Sequence, residues 1–125
     1  NHQRMVLARQ AKIAQVVEQI PLLEVQGNSA DDTLLIGWGS TEGHLHAAAN
    51  ELGCALVHFN YIHPLPKNTA DILKRYKRLI VCELNSGQLA GYLRSQIQGI
   101  HLLQYNEMTA QPFAVDRIVN FVKNI

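Results

Sequence analysis

The chain has 125 residues, of which 47% are hydrophobic, and carries a formal net charge of +1. That is long and apolar enough for one domain with its own core, and it excludes a disordered chain. The near-neutral charge gives no electrostatic basis for binding nucleic acid or an anionic membrane, and no apolar run approaches the roughly 20 residues that span a bilayer.

The opening NHQRMVLARQ has neither an initiator Met nor an apolar signal core, so the sequence reads as an excised or trimmed piece of a longer protein. Residues 3–20 carry a helical period, with Val6, Ile13, Val17 and Ile20 on one face and Arg4, Arg9, Lys12 and Glu18 elsewhere. Pro21 ends that helix. Residues 26–32, QGNSADD, are turn chemistry and are expected to be a linker. The apolar run TLLIGWG (33–39) then reads as a buried strand.

A helix follows, with Ser40 or Thr41 as its expected cap, Leu45, Ala48, Ala49 and Leu52 as its inner stripe, and Gly53 as its stop. ALVHFNYIH (55–63) alternates Val57, Phe59 and Tyr61 against His58 and Asn60 and reads as the second strand, closed by PLP at 64–66. Asn68 or Thr69 is expected to cap a short helix bearing Ile72, Leu73 and Tyr76. RLIVCEL (78–84) is the third strand; Ser86 is expected to cap the next helix, along which Leu89, Leu93 and Ile97 recur at fourfold spacing. GIHLLQYN (99–106) is the fourth strand, and Val115, Ile118, Val119 and Val122 mark a final amphipathic helix.

Strands joined by helices of this length pair mainly in parallel through right-handed crossovers. The expected fold class is therefore α/β, a three-layer sandwich around a mainly parallel sheet. The expected division is an N-terminal helix and linker over residues 1–32, leaving an absent upstream domain, and the α/β domain over 33–125. Cys54 and Cys82 form no CxxC motif and read as reduced thiols of a cytoplasmic protein.

In open α/β sheets, ligands and partners meet the carboxyl ends of the strands. Four loops lie there: GWGSTEG, IHPLPKN, ELNSGQ and YNEMTAQPF. GWGSTEG does not complete G-x-G-x-x-G, lacks a Walker lysine, and places Glu42 where an anion would have to sit. His44 and His46 are two apart on a helix and point to different faces, and no further ligand set accompanies them, so no metal is expected. Glu83 ends a strand with no second catalytic group beside it. It reads either as a contact to a partner or, with Asn85, as an acceptor for loop backbone, and no catalytic residue is assigned. Trp38 reads as core, with an interface anchor as the other reading.

Taken together, GWGSTEG, HPLPKN, RYKRLIVCELNSGQLAGYLRSQI and YNEMTAQPF, in that order and spacing, resemble the C-terminal domain of the alpha subunit of 2-oxoacid:acceptor oxidoreductases, above all the 2-oxoglutarate:ferredoxin type. The resemblance covers essentially the whole chain, and Glu83–Leu89 is its most specific stretch. His63 stands where the family often has Asn, and Ala110 where Gly is common.

The resemblance implies a fold like the transketolase C-terminal domain and an enzyme that oxidatively decarboxylates a 2-oxoacid to an acyl-CoA. It implies thiamine diphosphate, Mg and an iron-sulfur cluster for the complete enzyme and none of them in this domain. The implied partners are the upstream domains of the same subunit, the beta subunit, ferredoxin and CoA. This piece is then a non-catalytic assembly domain. Glu83, Asn85, Gly87, Gln88 and Arg94 are its candidate outward-facing interface, because a loop of amides with one acid suits specific hydrogen bonds across a contact. The alternative is a free-standing flavodoxin-like nucleotide-binding module, or an interaction domain without an enzyme.

Overall fold

Four apolar runs and one short edge segment form a single sheet in the computed structural model, which describes residues 17–83, 87–106 and 115–125. The strands are β1 (Gln26–Gly27), β2 (Thr33–Trp38), β3 (Ala55–Phe59), β4 (Arg78–Glu83) and β5 (Leu102–Asn106). The helices are α1 (Glu42–Leu52), α2 (Thr69–Leu73), α3 (Gln88–Gln96) and α4 (Val115–Lys123). The sheet order is β1-β3-β2-β4-β5. All pairs are parallel except β1 with β3.

Both faces of the central strands are covered, which is why they read as continuous apolar runs. Leu34, Ile36, Val57, Phe59, Leu79 and Val81 pack on one face under α2 and α3, against Ile72, Leu73, Leu89, Ala90, Leu93 and Ile97. Leu35, Leu56, Ile80 and Cys82 pack on the other under α1 and α4, against Leu45, Ala48, Ala49, Ile118, Val119 and Val122. Alternate strand residues feed opposite layers, as the two-residue pleat requires. The three-layer α/β sandwich is thus the observed architecture. Both thiols are free and buried in the α1/α4 layer. Burial pushes Cys54 up to about 11 and pushes Cys82 up as well, so both stay protonated at neutral pH.

Several local expectations are corrected. The first two residues of the segment expected as a linker join the sheet, Gln26 and Gly27 pairing with Leu56 and Ala55, while 28–32 form the expected turn; Leu23, just ahead of it, lies in the core. Turn residues hid this strand because its two residues reach the sheet through backbone alone. Most of the expected helix 3–20 lies outside the described residues; residues 17–19 are helical before Pro21. The second strand ends at Phe59, and Asn60 and Tyr61 are exposed. The fourth starts at Leu102 rather than at Gly99.

The expected caps also differ. Neither Ser40 nor Thr41 caps α1 through its side chain; a 3-10 turn over Gly39–Thr41 leads into the helix, and the Thr41 hydroxyl donates back to the Trp38 carbonyl at 3.0 Å. Asn68 makes no side-chain cap on α2 either. Its amide instead grips Leu23, accepting from the Leu23 N–H at 2.8 Å and donating to the Leu23 carbonyl at 2.9 Å. Gly53 does end α1, in the left-handed region at φ 68°.

Candidate functional site

From β2 the chain crosses to β3 on one side, and β4 lies on the other side of β2. The helices that follow β2 and β4 lie on opposite faces of the sheet. The carboxyl ends of β2 and β4 therefore flank the topological switch point, where folds of this kind place their crevice. Trp38 ends β2 and Glu83 ends β4, and the indole Nε1 donates to Glu83 Oε1 at 3.3 Å across that point.

Glu83 is fully buried. Besides the indole it takes the Leu89 N–H on Oε1 at 2.6 Å and the Ala90 N–H on Oε2 at 3.1 Å. These are free donors of the first turn of α3, where the helix dipole also favours a negative charge. The carboxylate thus fills the place that a bound anion would take. The loop bends into the helix at Gly87, whose φ of 92° suits only glycine well. A Cβ there would also come within 3.0 Å of Gln104 Nε2.

The expectation of an outward-facing Glu83 is corrected: its charge is turned in to hold a helix start and a tryptophan. Of the other candidate interface residues, Gly87 is buried beside Gln104, Gln88 is exposed at the first position of α3, and Asn85 lies outside the described residues. So does Ser86, the expected cap. Arg94 is exposed along its length, but its Nη2 donates to the Leu102 carbonyl at 3.0 Å, tying α3 to β5. The structure therefore brings Glu83 and Gly87 together at the start of α3 and leaves Arg94 two turns along the same helix.

Two clefts flank the Trp38–Glu83 bridge. One, of about 190 Å³, is lined by Trp38, Ile62, His63, Gln88, Leu89 and Tyr92. In it the His63 and Tyr92 rings meet edge to face with centroids 4.2 Å apart, and the His63–Pro64 peptide is cis. The other, of about 340 Å³, is lined by Trp38, Gly39, His58, Phe59, Asn60 and Ile62. His58 was not singled out in the sequence beyond its alternation with Phe59. It is buried, its Nε2 lies 2.9 Å from the Gly39 carbonyl, and its Nδ1 lies 3.7 Å from Glu42 Oε2.

The described residues do not fit thiamine diphosphate with its metal. The start of α3 has its amides taken by Glu83, α1 begins with the acid Glu42, and no group of three His, Cys, Asp or Glu is placed to hold an ion. The same two helix starts disfavour the nucleotide-binding alternative. Among the described residues no helix is long and apolar enough to cross a membrane.

A doubly covered, mainly parallel sheet whose switch point is closed by a strand-end acid and a tryptophan defines an α/β domain of the kind the motif resemblance implies. No family model matches the chain. It is 36% identical, over 98% of its length, to the 2-oxoglutarate oxidoreductase subunit KorA of Mycobacterium tuberculosis, of which it spans 19%. It also superposes on a solved 2-oxoglutarate:ferredoxin oxidoreductase from Magnetococcus marinus with 2-oxoglutarate, coenzyme A and succinyl-CoA bound. That likeness has a TM-score of 0.88 and 28% identity, and it covers 98% of this chain and 23% of that one. Sequence and structure comparison together bear out the resemblance to 2-oxoglutarate oxidoreductases, an enzyme family. The chain spans about a fifth of the length of the proteins it matches.

Proposed function

We propose that this chain is the non-catalytic C-terminal domain of the alpha subunit of a cytoplasmic, thiamine-diphosphate-dependent 2-oxoacid:ferredoxin oxidoreductase, with 2-oxoglutarate as the favoured substrate. The observation that carries the reading is the likeness of nearly the whole chain to a 2-oxoglutarate:ferredoxin oxidoreductase, in sequence motif and in fold alike. Thiamine diphosphate with Mg, an iron-sulfur cluster and the CoA site of the complete enzyme would then be held by residues outside this chain.

The work of this domain is assembly with the upstream domains of its own subunit and with the beta subunit. Its strand-end loops present the contact, with Asn85, Gln88 and Arg94 as the residues that make it. Glu83 and Gly87 act behind them by fixing where α3 begins, supported by the carboxylate's bonds to Leu89 and Ala90 and by the positive φ of Gly87. The test is the double substitution Asn85→Ala, Gln88→Ala in the complete enzyme. Weakened subunit association with reduced 2-oxoglutarate-dependent ferredoxin reduction is expected; unchanged assembly and unchanged turnover would refute the interface. A preparation that assembles but reduces ferredoxin with no 2-oxoacid would refute the enzyme assignment.

A further inference from the structure

The carboxyl end of β3 holds a histidine whose hydrogen bonding is left half complete. His58 is 8% exposed. Its Nε2 lies 2.9 Å from the Gly39 carbonyl, and a carbonyl oxygen only accepts, so Nε2 carries the proton. Nδ1 is buried with no hydrogen-bond partner among the described residues. In the neutral ring that atom is a lone pair, and it faces another acceptor, Glu42 Oε2, at 3.7 Å. A second ring proton would not join the two either, because that separation exceeds hydrogen-bond length.

Glu42 is itself poorly answered. Its side chain is 50% exposed, and its other oxygen lies 3.8 Å from His46 Nε2. Among the described residues no Lys or Arg lies within ion-pair distance of it. His58, not Glu42, lines the cleft shared with Trp38, Gly39 and Ile62. A half-exposed glutamate 3.7 Å from a buried, unpartnered ring nitrogen, on a histidine that lines an open cleft, is a site built for a donor.

Two acceptors 3.7 Å apart suit one nitrogen bearing several protons, about 2.8–3.0 Å from each. A lysine ammonium is that donor: a compact charge with three protons, on an apolar stem able to lie along Trp38 and Ile62. The guanidinium fork of arginine matches the two oxygens of a single carboxylate instead. We propose that Glu42 and His58 together receive the ammonium of a lysine presented by another domain or subunit of the assembled oxidoreductase. This rests on the assembly reading above and places a contact at the carboxyl ends of β2 and β3.

The test is zero-length carbodiimide coupling of the complete enzyme, followed by peptide mass spectrometry. The expected result is an amide between Glu42 and a lysine outside residues 1–125. Coupling of Glu42 to added glycine ethyl ester should also run about tenfold slower than that of Glu51, exposed on the same helix. The cross-link should vanish in Glu42→Gln. Labelling of Glu42 at the rate of Glu51 would overturn the proposal, as would protection of Glu42 without a lysine cross-link. Ferredoxin reduction measured on the same preparation separates the two readings: an active, assembled enzyme with a free Glu42 sinks this contact alone.

Discussion

Replacing Glu83 by Gln removes one charge and one acceptor from a site that is closed to water. The carboxylate serves three donors, at 2.6 Å from Leu89 N, 3.1 Å from Ala90 N and 3.3 Å from Trp38 Nε1. Glutamine keeps one acceptor oxygen, which can hold Leu89 and the indole. Its NH2 arm then faces the Ala90 N–H, and two donors meet. Loss of a charge-assisted hydrogen bond costs roughly 1.5–3 kcal/mol. Loss of the negative charge at a partly buried helix N-terminus costs about 1–2 kcal/mol more. A neutral amide is easier to bury than a carboxylate, which returns part of this. The net expectation is about 3 kcal/mol, a fall of about 1.5 M in a urea midpoint for a small domain. Glu83→Ala strands all three donors and should cost about 5 kcal/mol. Urea unfolding measures the size of the loss. Amide exchange at Leu89 and Ala90 measures its place, because those two amides should lose protection before the rest of α3. A Glu83→Gln variant within about 0.5 kcal/mol of the parent, with Leu89 and Ala90 still protected, would refute the argument.

At residue 37, Gly37→Ala builds a Cβ into Leu45 Cδ1 and within 3.0 Å of Thr41 Oγ1, so calorimetry should show about 2 kcal/mol of destabilisation. Combined with Leu45→Ala, the two losses should sum to less than their separate values, because the clash is then removed. Asn68→Ala leaves the Leu23 N–H and carbonyl without the partners they now have and should cost about 2 kcal/mol in denaturant unfolding, with faster exchange of the Leu23 amide. For the thiols, burial raises the folded-state values, so the unfolded chain loses protons first. Stability is then full below pH 9.0 and falls as pH climbs toward the folded value of about 11 for Cys54. Unfolding free energies from denaturant titration should be about 2 kcal/mol lower at pH 10.5 than at pH 8 through Cys54, with Cys82 adding in the same direction; Cys54→Ala should remove its share of the decline.

The central strands and the three longer helices were legible because burial imposes a period. Leu89, Leu93 and Ile97 repeat every fourth residue and all reach the core, while the unbroken apolar runs 34–36 of β2 and 79–82 of β4 arise because a layer of helix covers each face. The caps were less legible. Ser40, Thr41 and Asn68 have the right chemistry for capping, yet each chain position lets the side chain choose among several backbone groups, and tertiary neighbours decide. Thr41 turns back to Trp38, and Asn68 reaches Leu23, 45 residues away. The role of Glu83 was half visible: a strand-end acid before a helix suggests loop backbone as its partner, but the indole arrives from β2, at a separation of 45 residues that no local pattern carries. His58 was hidden for the opposite reason. Alternation placed it on the face opposite Phe59, whereas a strand covered by helices on both sides buries both of its faces.

The grip of Asn68 on Leu23, together with the two-residue β1, bears on how load passes through the molecule. The stretch from Leu23 to Gly27 is fastened at one end by a side-chain amide that imitates a peptide group, and at the other by β3, deep in the sheet order. A pull on the chain ahead of Leu23 therefore loads the two Asn68 bonds first and the pairing of β1 with β3 behind them. The segment works as a stay, and it sets the angle at which the preceding chain leaves the sheet. A substitution as small as Asn68→Ala would slacken this fastening without touching a strand.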